Sequence, residues 1–387
     1  MKANPIKTIV RGSMYPPAQL NTYSRASIIY IGLYFEEFMA LGPGDHDVRK
    51  LQSTGGSTFT LSLPKPWVLH YQLEPRSSLK VDWRPSGALR ITPLEQNLRL
   101  ERYVGINLTQ IPENSLHDHL MGAYISGADV IVVSSPEDHP APTRIIRRFL
   151  RSTRGFEIVE QNPSSTELRC LLNPGEMPLH ASIKRMYLLV TSLVRDLQEV
   201  FSGGDIDYLS DHEERESEVD GLLYLVERQT RIVFESYQAS SRLNVSRSQA
   251  LEYANLARCL ERMMDHVNTL TLFIIEHRDH IPVLGETPPI QHLPLWQESL
   301  KELMINIRTQ DSHRIERARH QLKSLQTTLK DYETSIFDGD TMNRQLAAAL
   351  SMSESVRRLC AYSRDFGEVL LNMKLASIIV ETRETKQ

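Results

Sequence analysis

The sequence predicts a multidomain, mainly α protein: a small β head, a short α/β connector and two tandem three-helix bundles. Three observations carry this prediction. In Ser57–Leu63 and again in Leu79–Trp83 apolar residues alternate with polar ones at period two, the mark of half-buried strands. From Glu176 onward they recur every three to four residues over six long stretches, the mark of helices that bury one face. Between these regions an apolar run, Asp129–Val133, precedes a basic helical stretch, Thr143–Ser152.

Composition narrows the class further. At 387 residues the chain exceeds one ordinary compact domain, and its 7% aromatic content suits helices packed through Leu, Ile, Val, Met and Ala. Lys and Arg (44) against Asp and Glu (48) give a net charge of −4, so any nucleic-acid contact must come from a local basic surface. Three isolated cysteines, Cys170, Cys259 and Cys360, exclude a disulfide framework, a CxxC pair and a cysteine-type zinc site. The longest apolar runs, near Ile28–Phe35 and Thr271–Ile275, fall short of the roughly 20 residues that span a bilayer. With no secretory leader either, the expectation is a cytoplasmic protein without membrane insertion.

In chain order, residues 1–46 hold four prolines around one apolar stretch, Ser27–Phe35, and read as an irregular extension of unknown role; Met39 stands where translation could begin just ahead of the first organised unit. Residues 47–94 read as β. Ser57–Leu63 and Leu79–Trp83 alternate, Pro64-Lys65-Pro66 can open a helix, and Ala88–Ile91 returns as a partner strand after the Pro85-Ser86-Gly87 turn. So short a unit buries too little to stand alone, which implies a dimer. Residues 95–175 form the α/β connector: an amphipathic helix at Leu116–Ile125, a buried strand at Asp129–Val133, the basic helix, and strands at Phe156–Glu160 and Leu168–Leu172. A helix between two strands is a βαβ element. In the first bundle, 176–284, Ile183, Met186, Tyr187, Val190, Val194, Leu197 and Phe201 share one face. Asp205 can cap a second helix reaching about Tyr237, and Ser246 or Ser248 can open a third ending near His277. The second bundle, 285–387, follows a proline-rich break with helices at about 295–309, 312–335 and 341–382.

The stretch from Arg49 to Lys65, with Gly55-Gly56 at a turn, an alternating strand, and Leu63-Pro64-Lys65 opening a helix, resembles the start of the AbrB/SpoVT family of DNA-binding domains. Leu73-Glu74-Pro75 sits where that family has a Leu-x-Pro-Gly-Asp turn, with Arg76-Ser77 in place of Gly-Asp. The resemblance implies a swapped-hairpin homodimer that lays Arg49, Lys50, Lys65 and Arg76 on double-stranded DNA. A local excess of basic residues is what phosphate contacts require. An ordinary small β unit with a solvated basic face is the alternative.

Glu218–Gln229 and Ala257–His266, the latter carrying Leu260-Glu261-Arg262-Met263-Met264-Asp265-His266, resemble the PhoU phosphate-uptake regulators, and Ser355–Glu368 is similar to their second-repeat segment. An AbrB-like head, a connector with Gly122–Gly127 and a PhoU-like tail is the order found in archaeal PhoU-like proteins. That family binds metal through helical Glu/Asp-x-x-x-Asp pairs. The resemblance therefore implies a divalent or iron/zinc-type metal ion at the first bundle, held by Glu261 and Asp265, with Glu216 and Asp220 as a second pair. Carboxylates four apart share a helix face and repel; a bridging cation turns that repulsion into coordination. Asn268 extends the stripe by one turn. The alternative is solvated salt bridging by Arg215, Arg258 and Arg262. In the second bundle Arg357 and Ala361 take the places of Glu261 and Asp265, which limits the chain to one such site. His266 reads as a bundle-edge residue.

No HExxH, no Glu-x-x-His pair on the long helices, no Walker A and no GxSxG occur, so an enzyme is not expected. The primary reading is a DNA-binding regulator of phosphate uptake and homeostasis, whose bundles sense or relay phosphate status to the head. The alternative is an adaptor that docks on a phosphate transporter ATPase or another signalling protein and uses its head only to dimerise. The basic Thr143–Ser152 helix reads as a solvated face, with phosphate or nucleic acid as its other reading.

Overall fold

The computed structural model describes residues 48–54, 58–83, 88–94, 101–136, 142–173, 176–277, 285–337 and 344–379. The extension at 1–46 lies outside them. The chain divides into two compact units, Met1–Arg99 and Leu100–Gln387.

In the first unit, β1 (Gln52–Thr54) pairs antiparallel with β2 (Thr58–Thr60), Ser53 opposite Phe59. The strand expected over Ser57–Leu63 is thus only three residues long. Pro64 then caps α1 (Lys65–His70), with Pro66 in its first turn, where a missing N–H costs nothing. β3 (Leu79–Trp83) pairs antiparallel with β4 (Leu89–Pro93), Val81 opposite Ile91, as a separate two-stranded sheet. The substituted turn between α1 and β3 closes all the same. Arg76 takes a left-handed φ of 79°, and the Ser77 hydroxyl accepts the Glu74 N–H at 2.9 Å, as a carboxylate would. Among the described residues of this unit only Pro93 is buried, while Phe59, Val81 and Leu89 are 66%, 57% and 65% exposed.

The second unit opens with an α/β layer: β5 (Tyr103–Asn107), α2 (Leu116–Ile125), β6 (Val130–Ser134), α3 (Thr143–Ser152), β7 (Phe156–Asn162) and β8 (Ser165–Cys170). The sheet runs β5-β6-β8-β7, with β5 parallel to β6 and β8 antiparallel to both its neighbours. β6 is central and buried, hence its unbroken apolar run. From β5 to β6 and from β6 to β7 the chain crosses to a strand running the same way. Right-handed crossovers then put α2 and α3 on one face, where they pack together. Tyr124, Phe149 and Phe156 meet edge to face beneath them, with ring centroids 5.6–6.3 Å apart.

The helical part follows: α4 (Leu179–Phe201), α5 (His212–Glu235), the short α6 (Tyr237–Leu243), α7 (Arg247–Glu276), the four-residue α8 (Pro288–Gln291), α9 (Leu293–Thr309), α10 (Ser312–Phe337) and α11 (Arg344–Ile378). α4, α5 and α7 pack on one another, as do α9, α10 and α11, and α7 lies along α11. One continuous apolar core joins both sets. Ser246 opens α7 through a reciprocal capping box with Gln249. Asp205, expected to cap α5, instead caps a 3-10 turn at Ile206–Leu209 by accepting the Asp207 N–H. That turn seats Leu209 fully in the core before α5 begins. α6 is an addition to the expected helices; it ends on Asn244 in a left-handed conformation, φ 52°.

Candidate functional site

α5 and α7 run side by side in opposite directions, as their cross-helix contacts show. His212 at the start of α5 meets Asn268 near the end of α7, with Nδ1 and Oδ1 2.6 Å apart, while Glu227 near the end of α5 pairs with Arg258 near the start of α7 at 2.8 Å. Between these rungs lie the four carboxylates singled out by the sequence. Glu216 and Asp220 rise from α5, and Glu261 and Asp265 from α7, each pair stacked four residues apart on one helix face.

The carboxylates face one another. Burial, then the negative charges of Glu216 and Asp265, push Asp220 up to about 6. Burial, then Asp265 and Asp220, push Glu261 up to about 7. Burial also raises Asp265, against the opposing pull of His266 and Arg262. Tyr224, one turn along α5, is raised by burial and by the same carboxylates.

The neighbouring arginines do not form ion pairs with this seam, although Arg262 acts on Glu261 and Asp265 at longer range. Arg215 pairs with Asp196 at 2.5 Å and with Asp211 at 2.9 Å. Arg258 holds Glu227, and Arg262 lies over the Tyr362 ring, 5.5 Å from its centroid. Among the described residues no basic side chain forms an ion pair with Glu216, Asp220, Glu261 or Asp265. The salt-bridge alternative therefore does not account for these four residues.

Asn268 does not extend the seam as a free ligand. Its amide N–H donates to the Glu216 carboxylate at 2.5 Å and its oxygen faces His212. Because that oxygen accepts, the His212 proton sits on Nδ1. The chain His212–Asn268–Glu216 fixes Glu216 across the two helices. Sequence spacing gave no sign of it, since its members lie 52 and 56 residues apart. His266, half-buried, stacks on Tyr362 of α11 with ring centroids 5.7 Å apart. In the second helical set, the Arg357 guanidinium instead donates to Glu333 at 3.2 Å, with Ser353 on the same carboxylate oxygen. That position is an acid–base pair, with no surplus of charge.

The donor type suits a hard or borderline cation, being carboxylate oxygens without ion-pair partners, three of the side chains half-buried and Asp265 exposed. No group of three or more His, Cys, Asp and Glu side chains among the described residues is arranged to hold a metal ion. The four carboxylates are thus brought together electrostatically but not closed into a coordination shell.

The four basic residues expected at DNA all lie in the first unit. Arg49 and Lys50 precede β1, Lys65 opens α1, and Arg76 sits at the left-handed turn. All four are exposed. Among the described residues Lys50, Lys65 and Arg76 have no ion-pair partner, whereas Lys80 and Arg90 of the same unit both hold Asp82.

No described helix is long and apolar enough to cross a membrane. No curated protein and no solved structure matches this chain. Residues 183–270, which include α5, most of α4 and α7, and all four carboxylates, match the PhoU domain family: the chain carries a PhoU domain there.

Proposed function

We propose that this protein is a DNA-binding regulator of phosphate uptake and homeostasis, in which the PhoU domain senses or relays phosphate status to the β head. The observation that carries the proposal is the un-neutralised carboxylate seam inside the matched PhoU domain. In this reading Asp220, Glu261 and Asp265, beside the clamped Glu216, would recruit a cation in place of the ion pairs they lack, although no three of them are arranged as a coordination shell in this structure. The second helical set is read as a PhoU repeat in which the Arg357–Glu333 pair replaces that requirement.

The head supports the DNA part through two features. Its apolar side chains, Phe59, Val81 and Leu89 among them, stay exposed, and two separate hairpins of this size do not make a stable core. A second copy that completes the sheets is the economical cover, in the manner of the AbrB/SpoVT swapped-hairpin dimers. Lys50, Lys65 and Arg76 are left open for phosphates. Contacts mostly to phosphates would make recognition depend on DNA shape.

The test is a titration of the purified chain with duplex DNA from upstream of its own reading frame, across a salt series, beside Arg49→Ala/Lys50→Ala. A steep salt-dependent complex weakened by the double substitution supports the reading. Absence of any complex at low salt removes it. The adaptor reading, in which the helices dock on a transporter ATPase or signalling protein, then takes its place.

A further inference from the structure

The exposed face of α3 carries four arginines without an ion pair among the described residues, outside the head; Arg151, at its end, also borders a cavity lined by Glu213, Glu214 and Glu218 of α5. In Thr143–Ser152, Ile146 and Phe149 are fully buried against the sheet, which fixes the helix in rotation. Arg144, Arg147, Arg148 and Arg151 are all exposed on the other side. Among the described residues none of the four forms an ion pair. The next arginine differs: Arg154 is half-buried and lies within electrostatic reach of Glu218. Arg144, Arg148 and Arg151, with Ile145, line an open groove of about 440 Å³.

Spacing and chemistry define what fits this groove. Positions 144, 148 and 151 recur at i, i+4 and i+7, so three guanidinium groups form one row about 10 Å long. Over that length of duplex axis each strand carries about three phosphates, one per roughly 3.4 Å of axis. Guanidinium forks match phosphate oxygens two at a time. The exposed row has no aromatic or large aliphatic side chain to enter a bilayer, and Ile145 lies in the groove wall. We infer that α3 is a second, sequence-independent contact for the phosphate backbone of duplex nucleic acid, supplied by the α/β layer and not by the head. This rests on the DNA-binding reading but uses different residues, so the two can fail separately.

The full-length chain with all four arginines changed to glutamine (Arg144→Gln, Arg147→Gln, Arg148→Gln, Arg151→Gln) tests it. Glutamine keeps helix propensity, and the loss of exposed, unpaired charges should leave the melting temperature unchanged. If the fourfold variant melts early, Arg144→Gln/Arg148→Gln carries the same test with half the effect. Duplex binding is measured across salt for wild type, the α3 variant and Arg49→Ala/Lys50→Ala. The expected result is a loss of more than tenfold at moderate salt, and a log–log salt slope shallower by about 3, close to 0.9 per lost phosphate contact. Wild-type affinity and slope in the α3 variant overturn the inference, and if the head variant still fails, the head reading survives alone. Loss in the α3 variant with none in the head variant supports the inference and removes the head as the reader. No duplex binding by wild type ends both. A parallel arm uses phosphatidylglycerol vesicles: α3-dependent vesicle binding without α3-dependent duplex binding overturns nucleic acid in favour of a membrane surface.

Discussion

Arg228 of α5 reaches out of the PhoU domain and holds Asp129 at the entry to β6. Its guanidinium donates to the Asp129 carboxylate at 3.2 Å and to the carbonyls of Tyr124 and Ala128 at 2.9 and 2.7 Å. It also lies over the Tyr124 and Phe156 rings, 5.1 and 5.4 Å from their centroids. Arg228 is 3% exposed, and Asp129 accepts from the Arg102 backbone and side chain as well. The α/β layer and the helix bearing Glu216 and Asp220 are thereby locked into one piece.

Removing that arginine should be costly. Arg228→Ala leaves a buried carboxylate and two carbonyls short of donors, a loss of about 3–5 kcal/mol. Arg228→Lys should recover little, because a single ammonium nitrogen cannot reproduce the planar fork whose two terminal nitrogens reach the carbonyls and the carboxylate separately. Urea unfolding of the two variants checks this. A loss under about 1 kcal/mol for Arg228→Ala would show the lock to be dispensable.

The carboxylate seam predicts an unusual dependence on pH. Asp220 and Glu261 hold protons up to about 6 and about 7 in the folded chain, while ordinary carboxylates release them near 4. Between those values these two groups bind more protons in the folded chain than in the unfolded one, so their own contribution to stability is fullest below about 4 and is lost as pH rises through about 4 to 7. Solvent screening holds the effect to roughly 1 kcal/mol. Glu261→Gln should flatten the fall and raise the melting temperature at pH 7.5 by about 2–4 °C. A lower melting temperature there would contradict the repulsion.

A cation at the seam should reverse that penalty. Mn²⁺ at a hundredfold excess over its dissociation constant should stabilise the chain by about 2.7 kcal/mol. Asp265→Asn, which removes one charge between the helices, should abolish most of the gain. Equal increments in wild type and variant would place the cation elsewhere.

Arg76 offers a test with two readouts of opposite sign. A non-glycine residue at φ 79° bears a steric cost of about 1 kcal/mol, which glycine escapes. Arg76→Gly should therefore stabilise the head while weakening duplex DNA binding. Stabilisation with unchanged affinity would remove Arg76 from the contact set.

Gly155 is a purely structural counterpart. It turns at φ 84° into β7, and a Cβ there would collide with the Cβ and Cγ of Leu172. Gly155→Ala should cost about 2 kcal/mol through backbone strain and overpacking, read by thermal melting. A neutral result would mean that Leu172 yields freely.

The helical part is legible because its long amphipathic stripes must bury one face: α9 and α10 begin and end within about two residues of their expected bounds, and of the two serines that could cap α7 it is Ser246 that does. β5 escaped notice because its sequence, Tyr103–Asn107, lacks clean alternation; its place beside β6 is set by tertiary pairing. Of the site, the four carboxylates announce themselves through i, i+4 spacing. Their isolation from arginine did not, because Arg215 and Arg258 adjoin acids in sequence and choose others in space. The Asn268 clamp and the Arg228 lock join residues 52 to 104 positions apart, beyond the reach of any local pattern.

The most direct test of a regulator is whether the seam controls the head. Duplex affinity of the full chain should be measured at fixed salt with and without Mn²⁺, for wild type and Glu261→Gln/Asp265→Asn. The account predicts a change of at least about fivefold in wild type, the lower end of allosteric coupling, and none in the variant. Wild-type protein that binds both Mn²⁺ and DNA, with an affinity for each indifferent to the other, would contradict it.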